Sequence, residues 1–267
     1  MHPALTDAEF VRFQRFIHSA AGITLSDAKK ALVAGRLSKR LAHHGLHSFG
    51  SYLALLSGAD AGAELQTAVD LLTTNETYFF REPRHFDLLR ELAQAARARR
   101  QGLRVWSAAC SSGEEVYSIA MVLDDVLGET GWELLGSDIS TRVLQRARSG
   151  HYVEERARHI PPGYLKRYCL RGTGEQQGNL LVERRLRQRV RFEQINLNEP
   201  LPRLGSFDVI FLRNVMIYFN AETKRQVVAR LLAQLASGGT FCIGHSETLN
   251  DISDAVVQVV PSIYQKP

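Results

Sequence analysis

Residues 103–115 read LRVWSAACSSGEE: a short apolar run, a turn of small residues and an acidic opening to a helical pattern. The helix that follows, EEVYSIAMVLDDVL (114–127), is apolar over most of its circumference, as a helix packed inside a layered domain must be. The same grammar repeats downstream. WELLGSD (132–138) reads as the next strand and STRVLQRARSG (140–150) as its helix. VRFEQINL (190–197) and FDVIFLRN (207–214) read as further strands. AETKRQVVARLLAQLASGG (221–239) reads as a helix stopped by Gly238–Gly239, and TFCIG (240–244) as a strand behind it. Strands alternating with helices imply a parallel sheet covered on both faces, hence an α/β, Rossmann-like architecture. The closing VVQVVPSIYQKP (256–267) reads as two short strands that return antiparallel at the sheet edge.

Outward from this unit the patterns change. The first 73 residues carry helical signals only. Thr6-x-x-Glu9 is a capping box ahead of Phe10, Phe13, Phe16 and Ile17 at helical spacing, with Gly22 as the stop. Ser26 is placed to cap a second helix, in which Lys29, Arg36 and Arg40 share one face while Ala34, Leu37 and Leu41 point elsewhere. Between Gly150 and Arg189 lies a connection far longer than the two to six residues usual in α/β units. It contains Pro161-Pro162-Gly163, Gly172-Thr173-Gly174 and the alternating NLLVERRLRQRVRF, and reads as an inserted small β-subdomain. The expected division is an all-helical domain (1–73), a linker (74–87) and the sheet domain (88–267) with its insertion at about 151–189.

The chain has 267 residues, 45% of them hydrophobic and 23% charged, within the globular range and outside those of disordered or disulfide-stapled chains. No basic leader followed by an apolar run opens it, and no apolar stretch is long enough to span a membrane, so a cytoplasmic location is expected. Its three cysteines, Cys110, Cys169 and Cys242, form no ligand pairing and read as buried thiols. The net charge of +5 is local. Residues 156–191 hold ten Arg and Lys against Glu175 and Glu183, a net +8, and no acid lies between Asp27 and Asp60. Such runs are either solvated faces or docking surfaces for an acidic partner.

In an open parallel sheet a ligand sits beyond the carboxyl ends of the strands. The turn ACSSGEE has one glycine, so the dinucleotide fingerprint and its pyrophosphate cradle are absent. Asp138, ending the second strand, is placed to accept both hydroxyls of an adenosine ribose, or else to cap the next helix. Glu114 and Glu115 would repel phosphates. They suit a ligand with an ammonium and a sulfonium, as in S-adenosylmethionine, or else complement the helix dipole.

NETYFFRE (75–82), VWSAACSSGEEVYSIA (105–120), GSDIS (136–140), INLNEPLP (195–202), FDVIFLRNVMIYF (207–219) and GHSE (244–247) together resemble the CheR-type chemotaxis receptor glutamate methyltransferases, over essentially the whole chain. The resemblance implies a helical domain joined to an S-adenosylmethionine-dependent methyltransferase domain bearing a β-subdomain. It also implies transfer of the methyl group to receptor glutamates, giving methyl esters and S-adenosylhomocysteine for sensory adaptation, without a metal. It places Asn75, Thr77 and Arg81 at the cofactor, with Arg81 nearest the reaction centre. Glu115 and Asp138 would hold the aminoacyl and ribose parts, Asn196 and Leu197 would flank the adenine, and Arg213 and Asn214 would line the cleft. Tyr218 would face the transferring methyl, making Arg81 and Tyr218 the catalytic pair. A glutamate side chain is already ionised at neutral pH, so the reaction demands no general base.

Under this resemblance the partners are the acidic cytoplasmic methylation helices of chemoreceptors. Lys29, Lys30, Arg36, Lys39 and Arg40 are the expected docking residues, and a receptor C-terminal pentapeptide is a candidate added strand on the subdomain. Nucleic acid is disfavoured as a substrate: where base-amine methyltransferases carry an Asn/Asp-Pro-Pro-aromatic loop, this chain reads Arg213-Asn214-Val215-Met216. The second alternative is a binding protein that keeps the fold without turnover. His43, His44, His85 and His245 have no Cys or carboxylate at recognisable ligand spacing in the sequence, so no metal site is expected.

Overall fold

A computed structural model describes residues 3–58 and 61–267; Met1, His2, Ala59 and Asp60 lie outside the described residues. Four helices come first: α1 (Asp7–Ala21), α2 (Lys30–His43), α3 (Phe49–Leu56) and α4 (Gly62–Leu72). The capping box forms as read. Thr6 Oγ1 accepts from Glu9 N at 3.2 Å, Glu9 Oε2 accepts from Thr6 N at 3.0 Å, and Gly22 ends α1 in the left-handed region. Ser26 instead precedes a short 3-10 turn at Asp27–Lys29 and makes no side-chain cap, so α2 starts at Lys30.

After the linker come α5 (Arg84–Ala98), β1 (Leu103–Ser107), α6 (Glu114–Leu127), β2 (Trp132–Asp138) and α7 (Thr141–Ser149). The insertion comprises β3 (His151–Val153), α8 (Pro162–Tyr168), β4 (Cys169–Arg171), β5 (Asn179–Val182) and α9 (Arg184–Arg189). The chain finishes with β6 (Val190–Gln194), β7 (Phe207–Leu212), α10 (Ala221–Ala233), β8 (Leu235–Ile243), β9 (Val257–Val260) and β10 (Ile263–Gln265). Arg84–Asp87, the last residues of the expected linker, are helical and form the first turn of α5, behind Pro83 at its N-cap. RRLRQR, expected within an alternating strand pattern, is the helix α9, and it buries Leu186.

The main sheet runs β6-β2-β1-β7-β8-β10-β9, parallel from β6 to β8 and antiparallel at the β10–β9 edge. Strand order reverses between β1 and β7, so the ligand crevice of a doubly wound sheet falls at their carboxyl ends. Alternation assigns side chains to two cores. Trp106, Leu135, Ile210, Leu212 and Phe241 join the face shared with α10 and the N-terminal helices. Val105, Leu134, Val209, Phe211 and Cys242 join α5, α6 and the insertion. The stop expected for α10 at Gly238–Gly239 is displaced. The helix ends at Ala233, and both glycines lie inside β8, where Gly238 N donates to Lys266 O at 2.8 Å. Pairing with β7 and β10 outweighs the local helix pattern.

The insertion forms its own antiparallel sheet, β3-β5-β4. Five of the ten basic side chains in residues 156–191 form ion pairs. Arg156 pairs with Glu114, Arg167 with Asp125, Arg171 with Glu154, Arg185 with Asp124 and Arg191 with Glu193. Three of these pairs, to Glu114, Asp125 and Asp124, tie the subdomain to α6. Among the described residues no helix is long and apolar enough to cross a membrane.

The N-terminal helices seat on the sheet domain beside its crevice. Asp70 in α4 is buried at the start of α7, accepting from Thr141 N at 3.0 Å and from Thr141 Oγ1 at 2.8 Å. A carboxylate there satisfies orphan donors of the helix and complements its dipole. Asn196 Nδ2 donates to Ala20 O at 2.8 Å on the other side of the crevice.

Candidate active site

Beyond the carboxyl ends of β1, β2, β6 and β7 lies a cleft of about 860 Å³ free of atoms, part of it open to solvent. The structure brings Asn75, Thr77, Arg81, Glu115, Asp138, Asn196, Leu197, Arg213, Asn214 and Tyr218 together around it. They come from the linker, the first turn of α6, the ends of β2 and β7, the segment after β6 and the loop before α10.

The turn after β1 is held open by backbone bonds. Ala108 N donates to Phe211 O at 2.9 Å, and Cys110 N to Ser137 O at 2.8 Å. Gly113, capping α6, has a φ of 94°, and a Cβ there would lie 2.9 Å from Ala147 Cβ and 3.0 Å from the Tyr152 hydroxyl. Glycine is thus required both by conformation and by the close approach of α7. The Cys110 thiol is fully enclosed; burial, followed by Asp138 and Glu115, raises its pKa well above normal, which keeps it protonated and without nucleophilic character.

Asp138 is buried at the end of β2 and takes one backbone N–H on each oxygen: Ser111 N on Oδ2 at 2.8 Å and Ser140 N on Oδ1 at 2.9 Å. Burial pushes its pKa up to about 6, against the pull of those two bonds and with help from the Asp70 charge. It does not cap α7 itself; Ser140 does. Its remaining lone pairs are available to hydroxyl donors.

The glutamate pair read from the sequence divides in the structure. Glu114, expected beside Glu115 as part of a carboxylate pair for a cationic ligand, turns away and is buried, accepting from Ser112 Oγ at 2.7 Å and pairing with Arg156. Successive helix positions point about 100° apart, so both cannot face one ligand. Only Glu115 reaches the cleft. Its Oε1 accepts from Ser107 Oγ at 2.7 Å and its Oε2 from Arg213 Nη1 at 2.6 Å. Arg213, with its side chain 2% exposed, also lies 3.1 Å from Glu82 Oε2 and donates to the Arg81 carbonyl. Burial opposes its charge, but Glu115 and Glu82 outweigh burial and raise its pKa.

Two motif residues given no role from sequence emerge as organisers. Glu82 bridges Arg213 and His245 N, which donates to Glu82 Oε1 at 3.2 Å. Glu247 receives Asn214 N and Gly244 N on Oε2, both at 2.8 Å, and so fixes the left-handed Asn214 at the cleft edge. Their charge within FFRE and GHSE was the available signal; the partners lie far away in sequence. Asn196, expected to flank an adenine, lines the cleft, but its amide bonds Ala20 O and Glu199 Oε1.

Arg81 and Tyr218 stand where the cleft meets a second cavity lined by Thr77, Tyr78, Arg156 and Ile217. Arg81 Nη1 donates to Glu76 O at 3.3 Å and its guanidinium lies 5.7 Å from the Tyr78 ring centre.

The expected docking set is corrected in three places. Arg40 is not available: it forms a two-point pair with Glu64, itself bound by the Tyr52 hydroxyl at 2.5 Å. Burial would raise the Glu64 pKa, but bonds from Arg40, Tyr52 and His44 hold it down to about 2. Lys30 pairs with Asp7 at 2.6 Å. Arg36 turns onto the end of α4 and the linker, donating to Leu72 O at 3.0 Å and Thr73 O at 3.1 Å. Lys29 and Lys39 remain exposed. Folding does bring three ligand-type residues together that sequence spacing kept apart: Glu82, His85 and His245 have donor atoms within 4.8 Å of one another. The Arg213 guanidinium already supplies the cation facing Glu82, and a metal ion there would meet its repulsion, so no metal is assigned.

The family described as CheR methyltransferase, SAM binding domain, matches residues 75–264, and its all-alpha domain matches residues 8–73. The chain is 45% identical over 254 residues to the chemotaxis protein methyltransferase of Klebsiella aerogenes, covering 93% of this chain and 86% of that one. It is 44% identical to that of Escherichia coli K12, covering 93% and 87%. It is 42% identical over 262 residues to chemotaxis protein methyltransferase 2 of Pseudomonas aeruginosa, covering 97% and 93%. Among solved structures, the N-methyltransferase NodS from Bradyrhizobium japonicum WM9 with S-adenosyl-L-homocysteine has a TM-score of 0.41 at 12% identity, over 70% of this chain and 87% of that one. With both family domains matched in order and relatives this similar along nearly its full length, the chain belongs to the CheR methyltransferase family.

Proposed function

We propose that this protein transfers the methyl group of S-adenosylmethionine to glutamate side chains of chemoreceptors, leaving methyl esters and S-adenosylhomocysteine, as an enzyme of sensory adaptation. One observation carries the reading: two buried carboxylates, Glu115 and Asp138, face one cleft that lacks a phosphate cradle and opens beside Arg81 and Tyr218. The donor set fits the cofactor. Asp138 has free lone pairs for a ribose diol, and Glu115, anchored by Ser107, offers a carboxylate to an ammonium. When bound, S-adenosylmethionine supplies an electrophilic methyl on a positively charged sulfur. Arg81 orients the acceptor carboxylate, and Tyr218 packs beside it and narrows the path for water. An ionised carboxylate needs no base, so the chain's contribution is alignment and a dry site. In this reading the domains divide at 1–73, 74–87 and 88–267, and the work is done in the cytoplasm, on the receptor's methylation helices.

Receptor contact is assigned to two surfaces. Lys29 and Lys39 face the acidic methylation helix. Reversing Lys29 and Lys39 to Glu is expected to slow receptor methylation about three- to tenfold at low salt, and the difference should shrink as ionic strength rises past about 0.3 M. An equal rate at both salts removes the patch from docking.

The subdomain's β4 is an edge strand with Leu170 54% exposed, ready to accept an added strand. A Cβ on Gly172 would sit 1.9 Å from Gln176 O, so glycine alone closes the turn beside that edge. A receptor C-terminal pentapeptide is the proposed addition. One assay tests both claims: purified protein, labelled S-adenosylmethionine and receptor-containing membranes with the tail present or removed. Base-labile label on the receptor, acquired more slowly without the tail, is expected. No base-labile label overturns the function, and a rate indifferent to the tail overturns only the peptide site.

A further inference from the structure

Three charged side chains form one cluster at the wall of the cleft. Arg213 is clamped between Glu115 Oε2 at 2.6 Å and Glu82 Oε2 at 3.1 Å, and both glutamate side chains are 11% exposed. Glu115 and Arg213 line the cleft; Glu82 does not. Burial would raise the Glu82 pKa, but the Arg213 charge and the His245 N–H outweigh it, so Glu82 remains a carboxylate.

His85 lies 3.5 Å from Glu82 but adds no charge, because burial and then Arg213 drive its pKa down to about 3. His245 is 3.8 Å away with its side chain 52% exposed, open to solvent screening. The buried group thus holds two negative charges and one positive. One negative charge is left over, and it is expressed where a ligand can meet it, at Glu115. With Glu115 and Arg213 alone the pair would be neutral and would attract an ammonium weakly.

We propose that Glu82 is a positioning residue for cofactor binding: by sharing Arg213 with Glu115, it leaves Glu115 the uncompensated negative charge that receives the cofactor's α-ammonium. This rests on the reading of Glu115 as the ammonium partner given above. Glu82 also occupies a left-handed backbone conformation, φ 59°, unusual for a side chain of this kind and maintained here by its ties to Arg213 and His245 N.

The test is binding of two ligands by calorimetry at neutral pH: S-adenosylhomocysteine, and its desamino analogue in which the α-ammonium is replaced by hydrogen. In Glu82→Gln, affinity for S-adenosylhomocysteine is expected to fall about tenfold, since a charge one residue removed from the ligand acts through a poorly screened interior. Affinity for the desamino analogue should stay within about twofold, and Glu82→Asp should recover most of the loss. If Glu82→Gln weakens both ligands alike, Glu82 merely anchors the linker and the proposal fails. If it weakens neither while Glu115→Gln weakens S-adenosylhomocysteine, the proposal fails and the reading of Glu115 stands. If Glu115→Gln is also without effect, the reading of Glu115 falls and the proposal with it. Should Glu82→Gln fold poorly, Glu82→Met, which also removes the charge at similar length, is compared with wild type on the same two ligands: equal loss on both, or loss on neither, overturns the proposal, and loss confined to the ammonium-bearing ligand supports it.

Discussion

Arg81→Ala is expected to lower receptor methylation turnover by about 10²-fold or more, the cost of losing alignment at a reacting centre, while S-adenosylhomocysteine binds within about threefold of wild type. The cleft holds two arginines in different electrostatic states. Arg213 is enclosed, its guanidinium divided between Glu115 and Glu82. Arg81 is half-buried, and among the described residues its guanidinium hydrogen-bonds the Glu76 carbonyl and lies over the Tyr78 ring without a carboxylate partner, so its charge and most of its donors face the junction of the two cavities. A planar fork of donors there suits an incoming carboxylate. What Arg81 gives the cofactor side is its carbonyl, which receives Arg213 and survives the substitution. Turnover and cofactor affinity should therefore separate. Arg81→Lys keeps the charge without the fork and should recover only part of the rate. Parallel loss of rate and cofactor affinity in Arg81→Ala would mean that the side chain supports the cleft rather than the acceptor.

What could be read from the sequence follows the range of the forces involved. The strand–turn–helix at 103–127, the parallel strands and the helical first segment were legible because apolar periodicity is a local property that the folded core preserves. β7 shows this in miniature: Val209 and Phe211 enter one core while Ile210 and Leu212 enter the other. The end of α10 was not legible, because the bonds holding Leu235–Ile243 in the sheet come from β7 and β10, distant in sequence. Charge was the least legible property. A helical wheel places Arg40 on an open cationic face, but Glu64 arrives from α4 and closes it. Glu114 and Glu115 look equivalent as neighbours, yet only one meets the cleft. Glu82 and Glu247 stood inside recognisable motifs without a role, since each acts on backbone or side-chain groups brought in from other parts of the chain. Sequence named the residues at the site. Only their packing distinguished a carboxylate that binds from one that fastens or tunes.

Asp138→Asn is expected to weaken S-adenosylhomocysteine binding about a hundredfold at neutral pH, because hydrogen bonds to a charged acceptor contribute about 1.5–3 kcal/mol each. The amide fails for a second reason. Both Asp138 oxygens accept backbone N–H groups, Ser111 at 2.8 Å and Ser140 at 2.9 Å, and an asparagine must turn its own donor toward one of them. The same burial sets a pH signature. With the folded pKa pushed up to about 6 and an unfolded value of about 3.9, the native protein holds a proton that the unfolded chain has already released between those pH values. This group's contribution to apo stability is therefore greatest in acid and declines as pH rises through that window. Cofactor affinity runs the other way, since hydroxyl donors favour the ionised carboxylate. The dissociation constant for S-adenosylhomocysteine should be flat above about pH 7 and rise toward tenfold per unit below about pH 6. Asp138→Asn should lose that dependence. Calorimetry from about pH 5 to about pH 8 reads both, and a wild-type affinity level across the range would mean that Asp138 does not meet the ribose as a carboxylate.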